Sequence, residues 1–268
     1  MSEIQETFIS HLVELRDRIL RAVLAIVLVF LCLAPWAANV YDLIAQPMIA
    51  TLPPGTKMIA TGVITPFMVP IKVTLLAAFV IALPVVLYQA WAFVAPGLYA
   101  HERKFALPLV LGSTLLFLAG IAFCYFFVFN TVFKFIGEFA PQSITPAPDI
   151  EQYLSFVMTM FLAFGITFEV PVAVILLVRF GVIGIDKLKE ARPYVIVGAF
   201  VIAAVVTPPD VLSQFMLAVP MCLLFELGLF LARFVGKRPE PIPGESDYVA
   251  PTDIEMEREL DKLDGGKP

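Results

Sequence analysis

The chain has 268 residues, 60% of them hydrophobic and only 15% charged, with a formal net charge of −5. A soluble domain carries about 25% charged residues, so 18 Lys and Arg with 23 Asp and Glu are too few to clothe a fold of this length. These figures exclude an ordinary soluble enzyme, a disordered chain and a nucleic-acid binder with a basic face. They leave an all-α, polytopic protein embedded in a lipid bilayer.

The N-terminal stretch spaces Ile4, Phe8, Leu12, Leu15 and Ile19 by four and three residues, which predicts a helix with one apolar stripe lying along the membrane surface. Glu14 sits beside that stripe with Arg18 four residues on, the spacing of a solvated surface ion pair. The first apolar segment runs from Ile19 to Ala38, long enough at about 1.5 Å per residue to cross one hydrocarbon core. It is longer than a signal-peptide h-region, and Pro35-Trp36-Ala37-Ala38 puts bulk where a cleavage site needs small residues, so it is expected to be retained.

Further segments follow at about Ile71–Val94, Ala106–Phe129, Tyr153–Phe180, Tyr194–Val206 and Val211–Phe234, which makes six. The connections 39–70 and 130–152 are long and carry several prolines, among them Pro47. They read equally as ordered caps and as plain connectors. The fifth segment has 13 residues, about 20 Å of helix against a core of about 30 Å, and the tetrad Thr207-Pro208-Pro209-Asp210 joins it to the sixth. Thr207, Ser213 and Gln214 put polar side chains at that tip, where a partner helix is expected to satisfy them.

Basic residues orient the chain. Arg16, Arg18 and Arg21, then Arg103 and Lys104, then Arg179, Lys187, Lys189 and Arg192, then Arg233, Lys237 and Arg238 fall on one side, against Lys57, Lys72 and Lys134 on the other. The alternation predicts both termini in the cytoplasm. Residues 1–236 form the membrane domain. The stretch 237–268 reads as a flexible tail whose nine acids from Glu240 onward account for the negative net charge.

Glu169 lies near the middle of the fourth segment, in Phe168-Glu169-Val170-Pro171. A charge at bilayer centre costs about 2.5–3.5 kcal/mol even on lenient scales. Gly165 and Ala173 flank it on the same stripe and predict either a polar cavity or a close helix beside the acid, and Pro171 predicts a kink there. The other reading is a neutral acid serving helix packing. Glu226 reads as an acid reaching for the membrane interface, and Glu102 as part of a charged, solvated turn. Cys32, Cys124 and Cys222 lie in apolar runs and read as small packing residues. The chain has no G-x-x-x-x-G-K-[ST], G-x-S-x-G or H-E-x-x-H, and its two histidines lie outside the apolar runs. No cofactor, metal or catalytic residue is expected.

Five strings stand together: HLVELRDR at 11–18, YAHERK at 99–104, SFVMTMFLAFGITFEVPVAV at 155–174, RPYVIVGAFVIAAVVTPPD at 192–210 and LLFELGLFLARF at 223–234. Over residues 8–236 the chain closely resembles the TatC family, the signal-peptide receptors of the twin-arginine protein translocase. The resemblance implies six helices in a glove-like arrangement, with the last two short, in the bacterial cytoplasmic membrane. It implies a receptor that binds precursor proteins bearing twin-arginine signal peptides. Assembled with further copies of itself and with single-span TatA- and TatB-type partners, it moves folded proteins by the protonmotive force. It assigns Glu14 and Glu102 to the arginine pair, with Arg16, Phe93, Leu98 and Tyr99 in the same cytoplasmic patches. It further implies functional roles for Pro47 in the outer loop and Glu169 in the concave face, and it puts Thr207, Asp210 and Gln214 where a partner helix docks. From the residues alone, an ion-coupled secondary transporter with Glu169 as its proton site, or a scaffold for other membrane subunits, stays open.

Overall fold

The computed structural model describes residues 2–52, 56–94, 103–139, 147–207 and 210–235. Helices form almost everywhere, because in hydrocarbon the backbone has to satisfy its own hydrogen bonds. Helix α1 spans Ser2–Leu33 and passes through a 3-10 turn, Ala34–Trp36, into α2, Ala37–Ile49. Helix α3 is Thr65–Val94. Helix α4, Arg103–Phe123, continues through a π turn, Cys124–Val128, into α5, Phe129–Phe139. Helices α6, Ile150–Phe168, and α7, Val170–Arg179, are two halves of one span broken at Glu169. A short α8, Ile185–Glu190, leads to α9, Arg192–Val206, and α10, Val211–Val235. Five of these stretches are long and apolar enough to cross a membrane, and α9 is a sixth, shorter apolar helix. The protein is a multi-pass membrane protein.

Two features depart from the sequence expectations. The amphipathic N-terminal stretch is not a separate surface helix but the first turns of α1, whose 32 residues make a rod of about 48 Å. No glycine or proline interrupts positions 2–33, so nothing breaks it. The shortness expected of the last two helices belongs to α9 alone, at 15 residues or about 22 Å. Helix α10 has 25 residues and reaches about 38 Å.

Helix α1 packs on α3, α4 on α6, α7 on α10 and α9 on α10. The central core lies where the π turn, α5 and α6 meet, around Cys124, Phe129, Val157, Met160 and Phe164. Phe129 stacks on both Phe133 and Phe161 at centroid distances of 5.5 and 5.4 Å. Helix α4 approaches α6 closely at Gly120, where a Cβ would stand 2.6 Å from the Phe164 carbonyl oxygen. Apolar burial drives little between helices in lipid, so this contact is carried by close packing.

The described parts of the two long connections are bonded to each other. Ile59 and Asp149 form an isolated parallel bridge, with N–H to carbonyl distances of 3.0 Å from Ile59 to Pro148 and 2.9 Å from Ile150 to Ile59. Asp149 caps α6, accepting from the backbone N–H of Glu151 and Gln152, and its other oxygen accepts from the hydroxyl and N–H of Thr61 at 2.7 and 3.0 Å. Beside it Lys72 meets Glu151 at 2.7 Å. These bonds clasp the first cap to the second across about 80 residues of chain.

The Thr61 hydroxyl above all, with the backbone N–H groups, holds the Asp149 carboxyl well below its ordinary value of 3.8, at about 2. A carboxyl with a lowered folded value stabilises the fold above its ordinary pKa and stops doing so as pH falls through the folded value. The clasp should therefore be insensitive to pH between 5 and 8 and loosen only from about pH 4 down to about pH 2. Asp149→Ala should lower the Tm of the detergent-solubilised protein at pH 7 and shrink the acid-dependent drop. An unchanged Tm and acid profile would remove Asp149 from the clasp.

Candidate functional site

At the basic end, Glu14 and Arg16 lie on α1, a turn apart from the residues that enter the apolar part of the helix. The Arg18 Nε donates to Glu14 Oε1 at 3.0 Å, and Nη2 reaches the same oxygen. The Glu14 side chain is 40% exposed. Arg16 is solvent-facing and pairs with its neighbour Asp17 at 2.8 Å. Phe93 sits in the last turn of α3, half-buried and engaged with its surroundings. Leu98, Tyr99 and Glu102 lie outside the described residues, as does the tail 237–268.

The intramembrane acid stands at the break between α6 and α7. Glu169 ends one helix and starts the next, with Pro171 at the start of α7 supplying the expected kink. Both carboxyl oxygens are buried and make no hydrogen bond among the described residues. The Ser113 hydroxyl of α4 lies toward the carboxyl without the geometry of a formed bond. That hydroxyl accepts from the Trp91 indole N–H at 2.9 Å, which fixes it between α3 and α4. The space expected beside Gly165 is filled: a Cβ there would overlap the Phe117 ring, so an aromatic from α4 occupies the gap the glycine leaves. The small residue serves the close-helix reading.

At the far end, the tip between α9 and α10 satisfies most of its own polar groups. The Thr207 hydroxyl, buried, donates to the Ala203 carbonyl at 2.8 Å. The Gln214 side-chain amide donates to the Phe200 carbonyl at 3.2 Å. Asp210 caps α10, accepting from the Ser213 N–H at 2.6 Å. The Ser213 hydroxyl is buried with no partner among the described residues. Thr207 also forms one wall of a groove of about 410 Å³, with Gln152, Ser155 and Thr159 of α6 opposite. Three hydroxyls, an amide and the Glu151 carboxylate on this surface suit a helix carrying a polar side chain of its own.

Pro47 is buried inside α2, and the Tyr125 and Tyr153 hydroxyls donate to the carbonyls of Leu43 and Ile44 just before it. Sequence reasoning missed these tyrosines, the Trp91–Ser113 pair facing Glu169, and the true partner of Glu226. That acid does not merely reach for the interface. It forms an ion pair with Arg192, with Nε and Nη2 each 2.7 Å from a different carboxylate oxygen, tying the start of α9 to α10. Among the described residues no group of three or more His, Cys, Asp or Glu is placed to hold a metal ion.

Residues 10–220 match the family described as Sec-independent protein translocase protein (TatC). The chain belongs to the TatC family. It is 50% identical to the TatC of Escherichia coli strain K12 over 87% of this chain and 90% of that protein, and 51% identical to the TatC of Haemophilus influenzae over 87% and 92%. A solved crystal structure of the twin arginine translocase receptor TatC superposes with a TM-score of 0.74 at 38% identity, covering 84% of this chain and 99% of that one. TatC is a family of protein translocase subunits, not of enzymes.

The α4–α6 contact at the acid is testable by repacking. Gly165→Val should drive a side chain into Phe117 and cost about 1–3 kcal/mol, the usual penalty of overpacking. Phe117→Ala in the same chain should recover part of that loss, read as Tm in detergent. A fully tolerated Gly165→Val, or a double variant worse than both singles together, would mean that the ring does not fill this gap.

Proposed function

We propose that this chain is the receptor and core subunit of a twin-arginine translocase, binding twin-arginine signal peptides on the cytoplasmic side and moving folded proteins across the cytoplasmic membrane with the protonmotive force. The observation that carries this is the fold-wide likeness to a solved twin arginine translocase receptor, nearly all of which this chain covers at 38% identity. The basic loops support cytoplasmic termini, which makes the end holding Glu14 and Phe93 the receptor face.

On this reading Glu14 and Glu102 accept the two arginines. A guanidinium offers a planar fork that a carboxylate takes in two bonds, whereas lysine offers a point charge. Glu14 already accepts one guanidinium fork, that of Arg18, so an incoming arginine exchanges with or joins it. Arg16, Phe93, Leu98 and Tyr99 complete the patch around the peptide. At the other end a single-span TatA- or TatB-type helix docks beside Thr207, Asp210 and Gln214. Because the Thr207 hydroxyl donates inward, it offers that partner an acceptor, and a polar donor on the partner helix answers it. Such bonds are worth about 0.6 kcal/mol on average, so single substitutions at Thr207 or Gln214 should weaken the complex and not abolish it.

Binding curves for an Arg-Arg and a Lys-Lys peptide test the receptor face. Hydrogen bonds to charged groups net about 1.5–3 kcal/mol, and the site is half in water, so Glu14→Gln or Glu102→Gln alone should weaken the Arg-Arg peptide roughly tenfold. The double variant should no longer discriminate between the peptides. If it keeps the wild-type preference for Arg-Arg, other residues read the signal. Proteoliposomes holding this chain alone should show no ion flux. Flux depending on Glu169 would favour an ion-coupled transporter instead.

A further inference from the structure

Inside α2, Pro47 has no N–H to give the carbonyl four residues back, and its ring crowds that same group. The carbonyl belongs to Leu43, and the Tyr125 hydroxyl donates to it at 2.8 Å. The Tyr153 hydroxyl donates to the next carbonyl, that of Ile44, at 2.7 Å. One turn of α2 is thus held by two phenols from two other elements, the donors 82 and 109 residues away in sequence.

Each phenol is aimed by a local feature of its own. Tyr125 lies in the π turn Cys124–Val128. A π turn takes one residue more than an α turn, and each residue rotates a helix by about 100°. The inserted residue therefore offsets the faces of α4 and α5, and the phenol that meets α2 stands at that offset. Tyr153 is buried in the first turn of α6, where its own N–H bonds to the Asp149 carbonyl at 3.0 Å. The clasp that fixes Asp149 thereby fixes where Tyr153 points. Three separate irregularities, a helix-internal proline, a π turn and a capped helix start, converge on two carbonyl oxygens.

We propose that Tyr125 is the positioning residue through which Pro47 acts, and that Tyr153 secures the same turn of α2 beside it. The Tyr125 hydroxyl bolts α2 to the α4–α5 helix through the acceptor that Pro47 leaves without a helical donor, the Tyr153 hydroxyl bolts the adjoining carbonyl to α6, and together they hold the far-end cap in the arrangement that transport needs. This rests on the reading of the chain as a translocase subunit. It assigns the proline a chemical job, presenting an acceptor. An alanine at 47 would supply an N–H, close the helix onto Leu43 and release Tyr125.

The test uses the full chain in nanodiscs, with Tyr125→Phe, Tyr153→Phe, Pro47→Ala and the Pro47→Ala/Tyr125→Phe double variant. Three readouts are taken: amide hydrogen exchange over residues 43–50, affinity for a twin-arginine peptide, and export of a twin-arginine reporter in cells. Each phenylalanine variant should raise exchange in α2 by roughly two- to tenfold, the worth of one hydrogen bond. Export should fall while peptide affinity stays at the wild-type value. Tyr125→Phe should add nothing to the export defect of Pro47→Ala, since that variant has already released the phenol.

Unchanged exchange in Tyr125→Phe, or export defects of Pro47→Ala and Tyr125→Phe that multiply, would overturn the proposal. A parallel fall in peptide affinity and Tm would also overturn it, since that is what a purely structural role predicts. If the wild-type chain bound no twin-arginine peptide at all, the translocase reading would fail instead. The exchange data alone would then decide the clamp.

Discussion

Hydrocarbon offers polar groups no hydrogen bonds, so a chain that lives in it must answer each one from within. Much of this structure follows from that requirement. The hydroxyls of Thr74, Thr114 and Thr207 fold back onto carbonyls of their own helices, at 2.7 to 2.8 Å. The Trp91 indole finds Ser113, and Arg192 finds Glu226. Where a proline removes a donor, a tyrosine from elsewhere supplies one. Against this thrift the exceptions stand out. The Glu169 carboxyl, the Ser213 hydroxyl and the Gln89 side-chain oxygen are buried without partners among the described residues, at the break in the fourth span, beside the α9–α10 tip and near the end of α3. Unanswered groups in a medium that penalises them mark the places where something outside the chain is expected to complete the bonding.

The same medium explains why packing, more than apolar burial, decides which helices touch. Helix α4 lies against α6 because Gly120 admits the Phe164 backbone and Gly165 admits the Phe117 ring. The aromatic layer around Phe123, Phe129 and Phe161 then fills the centre with rings in tilted and stacked contact. Aromatic pairs of this kind add about 0.5–1.5 kcal/mol beyond their area, which matters where area itself counts for little. The outer face of α1, by contrast, is left as exposed leucine, with Leu20, Leu24, Leu28 and Leu31 all more than half open. Lipid is the natural neighbour of such a face.

The spans were legible because apolar runs of about 20 residues have few other uses, and the break at Glu169 was legible because Pro171 has one mechanical consequence. The continuity of α1 was legible too, in the lack of any breaker between Ile4 and Leu33, but the amphipathic spacing drew attention to a surface helix instead. What stayed hidden depends on juxtaposition. Nothing near Tyr125 announces a π turn, and nothing near Tyr153 points to a carbonyl 109 residues earlier. Gly165 shows that a side chain is missing but not that Phe117 takes its place. Glu226 gave its charge away and kept its partner, Arg192, concealed until α9 was folded against α10. Of the site residues, those on regular helices could be placed by counting along the chain, whereas the tip at Thr207 needed the structure to reveal how much of its polarity is already spent internally.

The unbroken run of α1 has a mechanical consequence. A rod of about 48 Å in a slab of about 30 Å extends past it. At its far end it passes through Ala34–Trp36 into α2 with no slack segment between them. Such a rod works as a lever. A tilt of about 5° about its midpoint displaces each end by roughly 2 Å in opposite senses, given that length. A load applied to the N-terminal turns of α1 therefore reaches the start of α2 as a displacement, without any change in the helix itself.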